Sequence, residues 1–203
     1  TYTVEGCYGD VDLSPAAAGI PMASAEDGCD SDVDVEVVYT TDNLAFNEVV
    51  GDYSLVIDTV SGPEEGLLGM TTVRMYIQTE NAGDFVSAVA GDAVNPTGIR
   101  TSTSFYQNAL GGSTANSYNT LLEAVDPLVA YDSWVTIGID QAPDGGAGEI
   151  ATSVVGDWEG SFENGGDLFI NDFFGGSWFT TYPNDAAVAG SDNRVLIGQF
   201  TTD

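Results

Sequence analysis

The sequence contains no histidine and no lysine, and its three arginines are its only cationic side chains. The lack of histidine and lysine excludes a His-dependent catalytic triad, an imidazole metal ligand, a Schiff-base lysine and a P-loop lysine. Nucleic-acid binding requires a basic surface that neutralises phosphates, and three arginines cannot supply one. Attraction to anionic membrane surfaces is excluded for the same reason. We therefore expect no nucleic-acid partner.

Long apolar runs are also missing from the sequence. No run approaches the roughly 18 residues that a membrane-spanning helix needs, so we expect no membrane insertion. The chain begins Thr-Tyr-Thr rather than with methionine. We interpret it as a mature exported form or as a piece of a longer protein, and we expect an extracellular or cell-surface location.

Cysteine is scarce, with only Cys7 and Cys29 in the chain. In an exported protein, we predict that these two residues form one disulfide, which would stabilise the fold by about 3 kcal/mol in the chain-entropy model. The alternative is a pair of buried free thiols in a cytosolic protein. Two cysteines without histidine are a poor zinc site.

Acidic residues, by contrast, are abundant: 32 Asp and Glu against three Arg give a net charge of −29. In dilute buffer the screening length is about 30 Å and these charges all repel one another, whereas near 1 M salt it falls to about 3 Å. We therefore predict a marine, seawater-like medium with bound Ca²⁺. The alternative is that acidity only keeps an exported protein soluble. The composition, 43% hydrophobic and 10% aromatic, is not that of a disordered acidic tail.

The pattern along the chain predicts an all-β protein. Residues 1–31 are rich in Gly, Ala, Pro, Asp and Ser, and we predict an irregular leader, stapled by the disulfide, that is able to donate a strand. In residues 32–203, about ten short strands alternate with turn signals, as in Thr71–Thr79, where Val73, Met75 and Ile77 share one face. One helix is predicted over residues 119–125. This spacing indicates an antiparallel β-sandwich of jelly-roll type.

Two groups of oxygen-bearing side chains are candidate calcium ligands. The first follows the leader and resembles the start of an EF-hand loop, but the glycine at the sixth position and the acid at the twelfth are missing. Its acids also suit the outer face of an edge strand, where they prevent unwanted pairing. The residues of this first group are Asp27, Asp30, Asp32 and Asp34.

The second group lies in the loop before the last strand and consists of Asn184, Asp185, Asp192 and Asn193. Such residues can wrap a cation with side-chain and carbonyl oxygens, but they are also ordinary turn residues. We expect Arg194 to pair with a neighbouring acid and to fix this loop to the last strand.

Two further motifs suggest carbohydrate chemistry. Asp157, Glu159 and Glu163 surround a tryptophan, as the carboxylates of a glycoside hydrolase flank a sugar subsite. Exposed rings that stack on sugars are the second motif, with Trp158, Tyr106 and Tyr182 as candidates. Trp134 and Trp178 open apolar strands and are expected in the core.

Several segments between residues 66 and 203 resemble a secreted, β-rich module of large surface and extracellular proteins of marine and aquatic microbes. The resemblance implies export and a non-catalytic role at the cell surface, and it carries no established activity or site residues. The segments that carry it are residues 69–76, 103–108, 131–138, 175–178 and 193–200.

Taken together, the sequence predicts a non-enzymatic subunit of an extracellular layer, sheath or filament. Self-association into a homopolymer is expected to depend on salt or Ca²⁺, because subunits of charge −29 repel one another without screening. A carbohydrate-binding module with a polysaccharide partner is the alternative, and a glycoside hydrolase comes third.

Overall fold

The structure, a computed structural model, describes residues 53–145 and 148–203 together with three strands nearer the N-terminus. The chain divides into two compact units, Thr1–Ala45 and Phe46–Asp203. In the first unit the strands β1 (Tyr2–Glu5), β2 (Met22–Glu26) and β3 (Val35–Val38) form one sheet. β1 runs parallel to β2, and β2 runs antiparallel to β3.

Nine strands lie in the described part of the second unit, and all of their pairings are antiparallel. Helices are short and few there, so the prediction of an all-β protein with antiparallel sheets is confirmed. The strands are β4 (Ser54–Ser61), β5 (Thr71–Gln78), β6 (Ala88–Gly91), β7 (Thr97–Ile99), β8 (Trp134–Val135), β9 (Ser153–Val155), β10 (Leu168–Ile170), β11 (Gly176–Phe179) and β12 (Arg194–Thr202).

These strands form three sheets with the orders β4-β5-β12-β8, β6-β11-β9 and β10-β7. β12 lies inside the four-stranded sheet and is buried along almost its whole length. Val195 faces a large apolar core, whereas Leu196 packs into a smaller one on the other face with Trp134. A strand buried on both faces is expected to be apolar throughout, as β12 largely is.

A β-bulge shapes the way in which β12 fills the large core. The register against β5 shifts between Leu196 and Gly198, so that Val195 and Phe200, which strict alternation would place on opposite faces, both reach the same core. A Cβ on Gly198 would lie 2.6 Å from the Phe200 ring, so only glycine lets that ring pack against the strand.

The large core contains the apolar faces of all three sheets, with aromatic rings at its centre. Phe105, Phe162 and Phe200 contact one another with ring centroids 5.6–6.0 Å apart, and Trp158 lies next to Trp178. Val73 and Met75 of β5 are buried there, as the alternation predicted. The other buried members are Val135, Ile137, Leu168, Ile170, Ala187, Ala189, Val195 and Ile197.

The helix predicted over residues 119–125 is a 3₁₀ helix, Thr120–Ala124, which Asn119 caps by accepting a hydrogen bond from the Leu121 amide at 2.8 Å. Its apolar side chains do not form a buried face, since Leu121 and Val125 are exposed. Five residues are too few for packing to favour an amphipathic α-helix. A short α-helix that the sequence did not predict, α1 (Glu159–Glu163), lies further along the chain.

Candidate functional site

Three carboxylates converge on one loop, residues 108–113, which we call the clamped loop. Asp132, fully buried just before β8, accepts hydrogen bonds from the Asn108 amide to Oδ1 at 2.6 Å and from the Gly112 amide to Oδ2 at 3.0 Å. A Cβ on Gly111 would lie 1.8 Å from Asp132 Oδ2. The loop can therefore approach the carboxylate only with glycine at this position.

The other two carboxylates come from α1, where Glu159 and Glu163 lie one turn apart. Glu159 Oε1 accepts from the Ser113 hydroxyl at 2.7 Å, and Glu163 Oε1 accepts from the Ser113 amide at 3.1 Å. Residues four apart on a helix share a face, which is why both reach the same serine. Together with Asp132, they hold the loop from two sides.

The surroundings of Asp132 shift the pKa of its carboxyl group. Burial raises the pKa of Asp132 to about 6, and the negative charge of Glu163 acts in the same direction. Hydrogen bonds from the amides of Asn108, Gly112 and Ser133 act in the opposite direction, because they favour the charged form. The clamped loop thus depends on a carboxylate that changes its charge in mildly acidic water. Asp132 was not among the site residues predicted from the sequence, although it stands two residues before the apolar β8.

Asn108 connects the clamped loop to a neighbouring 3₁₀ helix. Its Nδ2 donates to Asp126 Oδ2 at 2.8 Å and to the Tyr106 hydroxyl at 3.0 Å. The Asn108 side chain and the Leu128 amide lower the pKa of Asp126, because both stabilise its charged form. Tyr106, one of the predicted sugar-stacking residues, is therefore half-buried and hydrogen-bonded within the protein.

The residues predicted for a glycoside hydrolase are close together, but they are engaged with the protein itself. Glu159 and Glu163 both bind Ser113, while Asp157 is exposed on the turn that precedes α1. This arrangement gives the two glutamates a structural role in fixing the clamped loop.

The structure corrects the assignment of Trp158 to sugar stacking. This residue is only 4% exposed; its ring packs against Phe162 and Trp178, and its Nε1 donates to the Val155 carbonyl at 3.2 Å. An enclosed ring offers no face to a sugar. Tyr182, in contrast, is exposed and rests edge-on against Phe85, with ring centroids 5.5 Å apart. The expected core positions of Trp134 and Trp178 are confirmed.

In the second calcium group, Asn184, Asp192 and Asn193 use their side chains in hydrogen bonds within the protein. Asn184 is buried, donates to Thr180 Oγ1 at 2.8 Å and accepts from the Ala186 amide at 3.1 Å. Asp192 Oδ1 accepts from the Arg194 amide at 3.3 Å. Asn193 has the left-handed φ of 58° and donates to the Glu80 carbonyl at 3.1 Å. Asp185 donates its amide to the Gly148 carbonyl at 2.7 Å.

Across residues 53–145 and 148–203, no three acidic or cysteine side chains are arranged as a set of metal ligands. Ca²⁺ binding therefore stays a prediction. The first calcium group (Asp27, Asp30, Asp32 and Asp34) lies outside the described residues, as do Cys7 and Cys29 with their predicted disulfide. No helix of the described part has both the length and the apolar character needed to cross a bilayer.

Each of the three arginines forms an ion pair within its own chain. Arg74 Nη1 lies 3.3 Å from Asp140, Arg194 Nη1 lies 3.0 Å from Asp58, and Arg100 Nε lies 4.0 Å from Asp167; all six side chains are partly or largely exposed. Arg194 therefore pairs with a strand residue far away in the sequence rather than with an acid of its own loop. It joins β12 to β4 across β5.

Exposed apolar side chains mark a different part of the second unit. Two loops, residues 92–96 between β6 and β7 and residues 171–175 between β10 and β11, carry Val94, Phe173 and Phe174, all strongly exposed. We call them the apical loops. The sequence analysis missed them, although two adjacent phenylalanines inside a run of Asn, Asp and Gly are a recognisable signal.

Comparison of the chain with protein-family models, with curated proteins and with solved structures gave no match. The resemblance to a surface module of marine microbes therefore stays a prediction. The five segments that carry the resemblance supply most of β5, β8 and β12, the start of β11, and the stretch around Phe105, which bridges to Thr202.

Proposed function

We propose that the protein is a non-enzymatic, extracellular structural module whose copies assemble into a layer, sheath or filament when salt or Ca²⁺ screens their charge. In this proposal, the three sheets of the second unit form a sandwich of jelly-roll type. The observation that carries the proposal is the engagement of all three arginines in ion pairs within their own chain.

These pairs leave the surface without an unengaged arginine, and the chain contains no lysine. A contact between two copies would therefore bring together two chains in each of which acidic residues outnumber arginines by 29. Such surfaces repel at low ionic strength, and the repulsion weakens as the screening length falls to about 3 Å near 1 M salt. Divalent cations act more directly, because one ion binds oxygens from two surfaces.

We propose no enzymatic role because the candidate carboxylates are engaged in hydrogen bonds within the protein. Asp132, Glu159 and Glu163 accept hydrogen bonds from the clamped loop, and these bonds fix their positions. A general acid or nucleophile must instead face a bound substrate. Their geometry therefore favours a structural function.

Size-exclusion chromatography with light scattering tests the proposal. The chain is measured in dilute buffer with a chelator, in about 1 M NaCl, and in about 10 mM CaCl₂, roughly ten times the weakest dissociation constants of extracellular calcium modules. We expect large assemblies with salt or calcium and monomers with the chelator, while MgCl₂ at equal concentration separates calcium binding from general screening. A monomer under every condition contradicts the proposal.

A carbohydrate-binding module is the second candidate, and the exposed ring of Tyr182 favours it. Binding to a glycan array is the test. Tyr182→Ala is expected to abolish binding, whereas Tyr53→Ala, which removes another half-exposed tyrosine of the same unit, should leave it unchanged. Equal binding by the wild type and both variants, or none at all, rejects this candidate.

A further inference from the structure

The apical loops lie side by side because their flanking strands are paired. Gly91, at the end of β6, is opposite Gly176 of β11, and Thr97 of β7 is opposite Ile170 of β10. A Cβ on Gly175 would lie 2.6 Å from the Gly91 carbonyl oxygen, so the bases of the two loops are in contact. The turn after β9 reaches the same end, since a Cβ on Gly156 would lie 2.9 Å from the Gly176 Cα.

Both loops are closed by the same device. Asp92 Oδ1 accepts from the amides of Val94 and Asn95, each at 2.7 Å. Asp172 Oδ1 accepts from the amides of Phe174 and Gly175 at 2.8 and 3.0 Å. Such turns fix the backbone locally, so the apolar side chains project from a preformed support.

The apolar side chains on this support are almost wholly in water. Val94 is 84% exposed, Phe173 87% and Phe174 95%, and the two phenylalanine rings contact each other edge to face at 5.6 Å. Single exposed apolar residues are common, but adjacent large ones on fixed loops are typical of interaction sites. These rings contribute little to the core and are available for a partner.

The charges around the loops indicate what kind of partner they fit. Asp172, next to Phe173 in the chain, is exposed, Asp157 is exposed on the turn after β9, and Asp92 is half-buried at the base of the other loop. All three arginines are engaged elsewhere. Arg100 is the only one near these strands; it follows β7 at the end away from the loop and pairs with Asp167. A surface that combines apolar rings with carboxylates is complementary to one that combines an apolar pocket with cations.

Neither a second copy nor an anionic bilayer provides that complement. A second copy brings its own charge of −29, and two phenylalanines with one valine would bury only roughly 500 Å². A standard interface buries about 800 Å² on each partner. The area is too small for a flat contact with any protein and requires insertion of the rings into a pocket, and the charge favours a pocket on a basic protein.

We propose that the apical loops anchor this protein to a polypeptide partner whose surface is positively charged and carries an apolar pocket for Phe173 and Phe174. This contact is separate from the ion-dependent assembly of copies. It gives the assembly an attachment point to a basic extracellular protein.

Fluorescence anisotropy with designed peptides tests the proposal on the full chain. The probes are an amphipathic Lys/Leu peptide, a Lys/Ser peptide of equal charge and a Glu/Leu peptide of equal hydrophobicity. We expect the Lys/Leu peptide to bind tightest. Phe173→Ser/Phe174→Ser is expected to weaken this binding at least about tenfold, since it removes both rings that enter the apolar pocket.

The matched control is Leu121→Ser/Val125→Ser, which removes two exposed apolar side chains, 78% and 75% accessible, at the 3₁₀ helix Thr120–Ala124. Its binding should equal that of the wild type. Equal losses in both double variants, or no loss in Phe173→Ser/Phe174→Ser, overturn the proposal, as does equal affinity for the Lys/Ser peptide. Phe174→Ser alone is also measured. Circular dichroism of each variant shows whether a loss of binding is caused by a loss of folding.

Two further measurements test whether the apical loops bind a lipid surface or a second copy instead. Binding to neutral phosphatidylcholine vesicles that disappears in Phe173→Ser/Phe174→Ser would overturn the proposal in favour of a lipid surface. Loss of salt-induced assembly in the same variant would overturn it in favour of a second copy. We expect no vesicle binding and unchanged assembly.

Discussion

The clamped loop and the apical loops use the same interaction in opposite surroundings. In each, an aspartate carboxylate accepts hydrogen bonds from backbone amides. The amides of Asn95 and Val94 lower the pKa of Asp92, whereas burial raises the pKa of Asp132 despite its amide donors. Amide hydrogen bonds are therefore the larger effect at Asp92, whereas desolvation is the larger effect at the buried Asp132.

Gly111→Ala is expected to break the clamped loop and to give the largest effect among the substitutions in the two kinds of loop. The new Cβ would collide with Oδ2 of a carboxylate that two loop amides fix, and we expect the free energy of unfolding to fall by about 3 kcal/mol, the upper end of the usual cost of overpacking. Urea denaturation measures the loss. Gly83→Ala, at a site with no atom within 4 Å of the added carbon, should change it by less than about 0.5 kcal/mol. Equal effects would refute the clamp.

The titration of Asp132 sharpens the contrast with Asp92. The pKa of Asp132 rises from 3.8 in the unfolded chain to about 6 in the fold, so the folded state binds its proton more tightly. The resulting stabilisation is fully present below pH 3.8 and is lost as the pH rises through about 6. Its size is about 3 kcal/mol.

Denaturation from pH 3.5 to 7.5 in about 1 M NaCl, which suppresses the general acidic repulsion, measures this contribution. We expect Asp132→Asn to remove most of the decline in stability between pH 4 and 6. Asp92→Asn should leave that decline in place, because its pKa is lowered and its titration lies at more acidic values. If stability declines as steeply between pH 4 and 6 in Asp132→Asn as in the wild type, the decline is caused by other titrating groups.

The ion pairs give a smaller, salt-dependent effect. Arg194→Met removes the 3.0 Å pair with Asp58 and a 3.0 Å hydrogen bond to Gln78. We expect a loss of about 0.5–1 kcal/mol in dilute buffer that shrinks in about 1 M salt. Arg100→Met, which removes a longer and more exposed pair, should cost less. Thermal unfolding of both variants at two salt concentrations measures these losses. A larger loss of stability in Arg100→Met than in Arg194→Met would contradict the expectation that the shorter ion pair contributes more.

The smallest stability effect is expected at the apical loops. Phe173→Ser/Phe174→Ser should leave the melting temperature almost unchanged, because both rings are already in water. Phe162→Ala, which empties a fully buried site beside Trp158 and Phe200, should destabilise by about 3–5 kcal/mol. A large loss in the apical variant would mean that these rings support the fold.

Alternation of apolar and polar residues was sufficient to predict a strand and its buried face where the strand is regular. Thr71–Gln78 alternates strictly, and its apolar side chains reach the large core as predicted. In residues 119–125 the apolar spacing was a poor guide, since a 3₁₀ helix leaves Leu121 and Val125 in water. A short segment needs tertiary packing to choose its helix type, and spacing alone does not report that packing.

Candidate residues were found by their types, but their roles depended on their surroundings. Trp158 next to three acids looked like a sugar subsite, yet the core encloses it. Asp132 stood in an inconspicuous position, because its burial depends on the clamped loop some 20 residues earlier. By residue type alone, Phe173 and Phe174 are expected in the core. Only the structure of their loop shows that they face the solvent.

Composition and period-two alternation by themselves determined the charge, the excluded chemistries and the all-β class, because these depend on residue types and nearest neighbours. Tertiary structure alone decided that Arg194 meets Asp58, 136 positions away, and that a bulge turns Phe200 into the core. It also decided which aspartate is buried and which phenylalanines are exposed. These outcomes depend on strand order and register, and a shift of one residue in register reverses every side chain.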